Sequence, residues 1–415
     1  MILFFYRILI NLIILISPII ILIRILKKKE DPKRFREKFC FFSKKKIKGK
    51  LIWFHGASVG EILSIIPLVE KFEKKKNIRQ ILITSNTLSS SKILSNLKLK
   101  KTIHQFFPID NINFAKNFLD YWDPSIAVFI DSEIWPNMII DIKKRKIPLI
   151  LLNGRINKKS FKKWKSLGET AKFLFKKFDM CYPSSNESKT HLKLLGIQKN
   201  KYIGNLKFSQ TEKNEIISNE ILGKKFLNKD IWCASSTHDS EEKLVAMAHK
   251  KIKVKYKNLI TIIIPRHIER TEMITNELKD LNLKIHLHSS KKNIEKDIDI
   301  YLVDAYGKTK NFYKICKTVF LGGSIIRHGG QNPLEPARYG CKILHGTNIW
   351  NFKEIYELLK RYNVSNKINN VNQLTKLVNE NLNKKTNTLK IRSKIKKVGN
   401  RILSSTFKEI SSFIK

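Results

Sequence analysis

The chain has 415 residues, 42% hydrophobic and 28% charged, and its 81 lysines and arginines against 35 aspartates and glutamates leave a formal charge of +46. Those proportions exclude a disordered polymer, a fibrous repeat and a multi-span transporter. The length allows two or three domains at about 150 residues each. Five scattered cysteines (Cys40, Cys181, Cys233, Cys316, Cys341) form no C-x-x-C pair, which argues against a disulfide framework or thiolate zinc and fits a reducing compartment. Nucleic acid, an anionic membrane or a phosphorylated substrate would each suit the charge. Lysine and isoleucine crowd every segment while arginine is scarce, however, so a compositional bias accounts for the charge equally well.

The first 26 residues are nearly all apolar, broken by Arg7, Asn11, Ser17-Pro18 and Arg24. The uncharged stretch 8–23 falls slightly short of the ~20 residues that cross a bilayer. Lys27, Lys28, Lys29, Lys33, Arg34 and Arg36 follow, with no small-residue cleavage site. We read residues 1–26 as an uncleaved membrane anchor, spanning or lying shallow, with the rest of the chain on the cytoplasmic side. A buried core helix is the alternative reading.

Beyond the anchor, short β-branched runs alternate with helical, lysine-rich stretches. Strands are expected at 51–55, 80–84, 126–130, 148–152 and 179–182, and in a second series at 231–234, 259–264, 298–303, 319–321 and 342–344. Strands separated by helix-length segments imply βαβ units and parallel sheets. The series break in a polar stretch between Gly204 and Asp230. The expected class is therefore α/β, two doubly wound domains facing a cleft, at residues 27–215 and 216–415. The tail beyond about 367 reads as helix. In such sheets ligands sit beyond the carboxyl ends of strands, so the residues after each strand carry the functional argument.

The first strand runs into Phe54-His55-Gly56-Ala57-Ser58-Val59-Gly60-Glu61 and then an apolar helix. Small residues let backbone approach a ligand, and the helix start offers free N–H groups. Glu61 stands in the first turn, where an acid also favours the helix dipole. Asp131-Ser132-Glu133-Ile134-Trp135-Pro136-Asn137 puts two carboxylates beside a tryptophan at another exit; Asp131 or Ser132 could equally cap the next helix. Asn153-Gly154-Arg155 ends a further strand, and Gly204-Asn205-Leu206-Lys207-Phe208 marks the junction, where a lone lysine is commonly just solvated.

Exits in the second half are rich in anion ligands. Ser235-Ser236-Thr237-His238 precedes Glu241 and Glu242, Pro265-Arg266-His267 ends the most apolar strand, and Asp304-Ala305-Tyr306-Gly307-Lys308-Thr309 ends the next. Leu321-Gly322-Gly323-Ser324 leads to Gly329-Gly330-Gln331-Asn332-Pro333-Leu334-Glu335-Pro336. Pro333 suits the first position of a helix capped by Asn332, Arg266 can fork onto phosphate, and Glu335 can accept from ribose hydroxyls. Ser236, Thr237, Gly323 and Ser324 make a candidate phosphate loop. Together these exits describe a nucleotide phosphate site. No P-loop and no G-x-G-x-x-G opens a helix. Asp297-Ile298-Asp299 alternates into a strand and reads as structural. His286 and His288 lack a third ligand, so no metal and no other cofactor is expected.

The ordered motifs G-A-S-V-G-E (56–61), S-E-I-W-P-N (132–137), G-N-L-K-F (204–208), S-S-T-H (235–238), P-R-H (265–267) and G-G-Q-N-P-L-E-P (329–336) resemble the 3-deoxy-D-manno-octulosonic acid (Kdo) transferases of lipopolysaccharide synthesis, over residues 51–358 and the anchor. The resemblance implies a two-domain GT-B glycosyltransferase. Its C-terminal half would bind CMP-Kdo, and its acceptor would be the tetraacylated, bisphosphorylated lipid A precursor, lipid IVA, at the bacterial inner membrane. It implies Glu61 as general base and Glu133 and Lys207 as stabilisers of the transition state. Pro265, Arg266 and His267, with Asn332, Pro333, Leu334 and Glu335, would bind CMP. Between those elements the family carries a Gly-Glu-hydrophobic loop, where this chain has Gly307-Lys308-Thr309. Backbone donors can still serve there, but the carboxylate is replaced by lysine. The alternative enzyme is another GT-B transferase using a UDP-sugar on a lipid-linked acceptor. A nucleic-acid-binding protein would interleave aromatics with arginine on a sheet face; here phenylalanine and isoleucine fill the strands, and no nucleic-acid partner is expected.

Overall fold

Short apolar runs bounded by turn residues become strands buried on both faces, the environment that a run with no polar alternation demands. The computed structural model describes residues 1–210, 223–290, 293–295, 297–384 and 387–414. Two compact units are present: Met1–Gln210 with Val398–Lys415, and the chain between them.

In the first unit six parallel strands, β1 (Leu51–His55), β2 (Gln80–Ser85), β3 (Thr102–Phe106), β4 (Ile126–Ile130), β5 (Leu149–Gly154) and β6 (Met180–Pro183), lie in the order β3-β2-β1-β4-β5-β6. Ile52 pairs with Ile81 on one side and Ile126 on the other. The order reverses between β1 and β4, so their exits flank the crevice where doubly wound sheets bind ligands. Trp53, Phe118, Trp122 and Phe129 fill the core beneath.

The second unit has seven parallel strands, β7 (Asp230–Thr237), β8 (Leu259–Pro265), β9 (Ile285–Leu287), β10 (Ile300–Leu302), β11 (Thr318–Leu321), β12 (Lys342–His345) and β13 (Ser365–Lys367), ordered β13-β12-β11-β7-β8-β10-β9. Its reversal lies between β7 and β11. Asp299 accepts from the Lys284 amide (2.8 Å) and lies 3.2 Å from His249 Nε2, a structural use of the D-x-D pattern. All five cysteines are free thiols.

Two features depart from the sequence reading. Strands β3, β9 and β13 have no counterpart among the expected runs. All three are sheet edges, where one neighbour suffices and polar residues such as His104, Gln105 and Asn366 are accommodated. The last helix, Thr388–Ser411, does not belong wholly to the C-terminal domain of 216–415: from Val398 onward it packs in the first unit. Phe407 meets Phe72 at 4.8 Å, Glu409 accepts from the Tyr182 hydroxyl at 2.8 Å, and a Cβ on Gly399 would stand 2.3 Å from the Phe208 carbonyl oxygen.

The N-terminal helix, Ile2–Leu26, is about 37 Å long at 1.5 Å per residue. It is too exposed for a core helix, with Phe4, Leu9, Leu15, Ile19 and Leu22 all outward. Tyr6, Ile10, Ile14, Ser17, Ile21 and Arg24, three or four residues apart, form its covered stripe. Tyr6 donates to Asp110 (2.7 Å) and Arg7 to Asn137 (3.0 Å), so its first two turns are tied to the first unit, while Arg24 pairs with Glu30 just beyond its end (3.0 Å).

Candidate functional site

At the β1 exit the chain leaves the sheet through Gly56 and Ala57, and Ser58 caps the helix Val59–Glu73. Ser58 Oγ accepts the Glu61 N–H (3.4 Å) and donates to Glu61 Oε1 (2.7 Å), while Glu61 Oε2 accepts the Ala57 N–H (2.7 Å). This S-x-x-E arrangement is a capping box reaching one residue further back than usual. Burial pushes the Glu61 carboxyl above its ordinary range; the Ser58 hydrogen bond opposes that, and the negative charges of Glu133 and Asp131 add to it. Glu61 thus caps the helix while burial holds its carboxyl above the ordinary range.

Glu133 is held from the β4 exit. Its Oε2 accepts the Trp135 indole N–H at 2.8 Å and lies 3.2 Å from His55 Nε2. His55 is wholly buried, stacked on Phe107 at 3.8 Å, with Nδ1 3.0 Å from Thr84 Oγ1. Asp131 takes the left-handed conformation (φ 62°) and is buried. Its Oδ2 lies 3.9 Å from Lys207 Nζ, and burial raises its carboxyl against the pull of Lys207 and Arg155. Lys207 is placed by Asn153, a left-handed residue (φ 56°) at an irregularity near the end of β5, whose side chain accepts the Leu206 N–H at 3.0 Å. One unit therefore gathers Glu61, Glu133 and Lys207 at its reversal point. Sequence reasoning passed over His55 and the Asp131–Lys207 pair. A histidine inside an otherwise apolar strand was the available signal.

In the second unit Glu241, wholly buried, carries the arrangement. Its carboxylate accepts the amides of His238 (3.0 Å), Gly323 (2.7 Å), Ser324 (3.1 Å) and Ile325 (3.0 Å). The Gly323 and Ser324 amides of the candidate phosphate loop are thus occupied from within. The Ser324 hydroxyl is likewise used, donating to Leu321 (2.5 Å) and accepting from Gly346 (2.8 Å). Gly322 is required by close approach: a Cβ there would stand 2.3 Å from the Ser236 carbonyl oxygen. Arg266 and His267 are exposed, and the Arg266 N–H binds the Thr237 carbonyl oxygen at 3.0 Å. The segment 307–309 follows Tyr306, whose hydroxyl donates to Glu269 (2.8 Å) beyond the P-R-H exit. Asn332 accepts from Leu334 (3.2 Å), but Pro333 is the cap residue rather than the first helical one, and the helix Leu334–Arg338 has five residues with Glu335 in its first turn.

Comparison with known proteins supplies the family. A sequence profile described as 3-deoxy-D-manno-octulosonic-acid transferase (kdotransferase) matches residues 33–210. The 3-deoxy-D-manno-octulosonic acid transferase of Rickettsia bellii is 34% identical over 80% of this chain and 79% of its own length. The enzyme of that name from Haemophilus influenzae is 26% identical over 86% and 84%. Among solved structures, UDP-GlcNAc 2-epimerase from Neisseria meningitidis superposes with a TM-score of 0.56 at 14% identity, covering 88% of this chain and 99% of that one, a likeness of fold alone. With two Rossmann-like parallel-sheet units of the GT-B class and a relative this similar along most of both chains, the protein belongs to the 3-deoxy-D-manno-octulosonic acid transferase family of glycosyltransferases.

Proposed function

We propose that the protein transfers Kdo from CMP-Kdo to the lipid A precursor lipid IVA and releases CMP. The observation that carries this reading is the clustering of Glu61, with its raised carboxyl, Glu133 and Lys207 at the first unit's reversal point. An acceptor hydroxyl gives its proton to the Glu61 carboxylate as its oxygen bonds to the anomeric carbon. The bond from that carbon to the phosphate oxygen breaks, and CMP leaves with the electron pair. Proton transfer of this kind contributes typically 10²–10⁴-fold. Glu133, oriented by Trp135 and His55, steadies oxocarbenium-like positive charge, and Lys207 offsets negative charge growing on the leaving phosphate. One displacement inverts the anomeric centre. Residues 27–215 hold the acceptor. The second unit holds the nucleotide through Pro265, Arg266, His267, Gly307, Lys308, Thr309, Asn332, Pro333, Leu334 and Glu335, with no metal or cofactor.

The acceptor is a lipid, and the outward apolar face of the helix Ile2–Leu26 supports attachment at the cytoplasmic face of the inner membrane. The ties of Tyr6 and Arg7, at the far end of that helix, to Asp110 and Asn137 favour an arrangement lying along the protein over one that crosses the bilayer. Its Tyr6 bonds Asp110, which also accepts the amides of Asn137 and Met138 just past Glu133, so lipid contact and candidate chemistry are adjacent. Incubation with CMP-Kdo and lipid IVA, followed by product mass, tests the proposal. The expected result is addition of Kdo; no product, together with tighter binding of UDP than of CMP, overturns it.

A further inference from the structure

His238 has no assigned role, yet its geometry is that of an unfilled binding residue. Its side chain is 9% exposed. Nδ1 lies 3.0 Å from the Ser236 carbonyl oxygen, which only accepts, so Nδ1 carries the proton. Nε2 is buried and has no hydrogen-bond partner among the described residues, a costly state for a polar atom unless something arrives to satisfy it. The groups around the ring are Arg266 and His267 from the β8 exit, His328 from the turn after β11, and Glu241 from the helix that follows β7. The His328 ring is 4.3 Å away, the His267 ring 6.1 Å, and the Glu241 carboxylate 3.8 Å from Nδ1. Glu241 is already saturated by four amides, so the side open to ligand is lined by one arginine and two more imidazoles. Burial first, then His328, depress the His238 imidazole to about 4 against an upward pull from the Ser236 carbonyl, with His267 and Arg266 adding lesser downward pushes. The ring is therefore neutral near pH 7, and an anion placed among these groups reverses the balance.

We propose that His238 is the proton-taking residue of an anion subsite: when an anionic oxygen of the sugar nucleotide enters beside Arg266, His267 and His328, Nε2 takes a proton from solvent and donates it in a hydrogen bond to that oxygen. The oxygen is a phosphoryl or a sugar carboxylate oxygen, and this deepens the CMP-Kdo reading on which it rests.

Calorimetric titration of the full chain at pH 7, in two buffers of different ionisation enthalpy, counts the protons bound with ligand. CMP is expected to bring uptake of up to about one proton, because its own phosphate, surrounded by cations, can only lose protons. Cytidine should bring none. Uptake with free Kdo but not CMP assigns the carboxylate instead. His238→Gln, which can still donate but cannot titrate, should abolish uptake and weaken CMP roughly tenfold. Binding of CMP and Kdo without uptake, or uptake unchanged in His238→Gln, overturns the proposal. Should that variant fold poorly, the wild-type ring decides: a histidine Cε1 NMR signal that stays neutral with ligand bound overturns it as well. If UDP binds and CMP does not, the donor assignment fails separately, and proton uptake with UDP judges His238 by the same criteria.

Discussion

Glu61 is both a helix cap and a candidate base, and two substitutions separate the roles. Glu61→Ala removes the acceptor of the Ala57 N–H and the Ser58 hydroxyl, both at 2.7 Å. A lost cap of this kind costs about 1–2 kcal/mol, or about 2–8 °C in Tm for a unit of this size. Glu61→Gln keeps a carbonyl oxygen at the third helical position, where glutamine also closes the box, so stability should stay within about 0.5 kcal/mol of wild type. Its amide cannot take a proton, and turnover should fall by roughly 10²–10⁴. The wild-type rate should rise with pH through a midpoint above the ordinary carboxylate range, the direction set by burial and by Glu133 and Asp131. Kdo transfer from CMP-Kdo, measured across pH beside thermal melts, reads all of this. If Glu61→Gln turns over within about tenfold of wild type, its carboxylate is a cap and nothing more.

Three further outcomes are expected. Gly322→Ala drives a methyl to 2.3 Å from the Ser236 carbonyl oxygen; a loss of about 1–3 kcal/mol with weakened CMP binding should appear in melts and titrations, and an unchanged protein would show that the loop yields freely. His104 and His345, buried, have imidazoles depressed to about 3 and about 4, by burial first and then by neighbouring cations. The unfolded chain protonates first below about 6.5, so their stabilisation is complete above that pH and shrinks as pH falls toward 4. Each should cost about 2 kcal/mol by pH 5; denaturant midpoints at pH 7 and 5 should show His345→Gln losing part of the decline. Tyr6→Phe with Arg7→Gln removes the ties to Asp110 and Asn137; the helix should stay on membranes while protease cleavage at Lys27–Lys29 accelerates, and unchanged cleavage would place the docking elsewhere.

The central strands were legible because burial on both faces leaves an unbroken apolar run: 126–130 and 51–55 stand as expected. Edge strands were not, since β13 is Ser365–Lys367 and has nothing apolar to announce it. Glu61, Glu133 and Lys207 were legible as residues after strands or at a junction, but their proximity is a product of strand order. The role of Glu241 was invisible for a related reason. Its four amide partners come from two exits some 80 residues apart, and a glutamate in the first turn of a helix looks like any other.

The closing helix bears on how the molecule is made. Residues 398–414 pack around Phe72, Phe208 and Tyr182, yet they are translated only after the second sheet. Domains usually fold in order of synthesis, but here the opening half waits, short of one side of its interior, until the second sheet has been translated. A fragment ending at residue 210 would keep all six strands and still lack its final buttress. A chain cut before Val398 therefore injures its amino-terminal half.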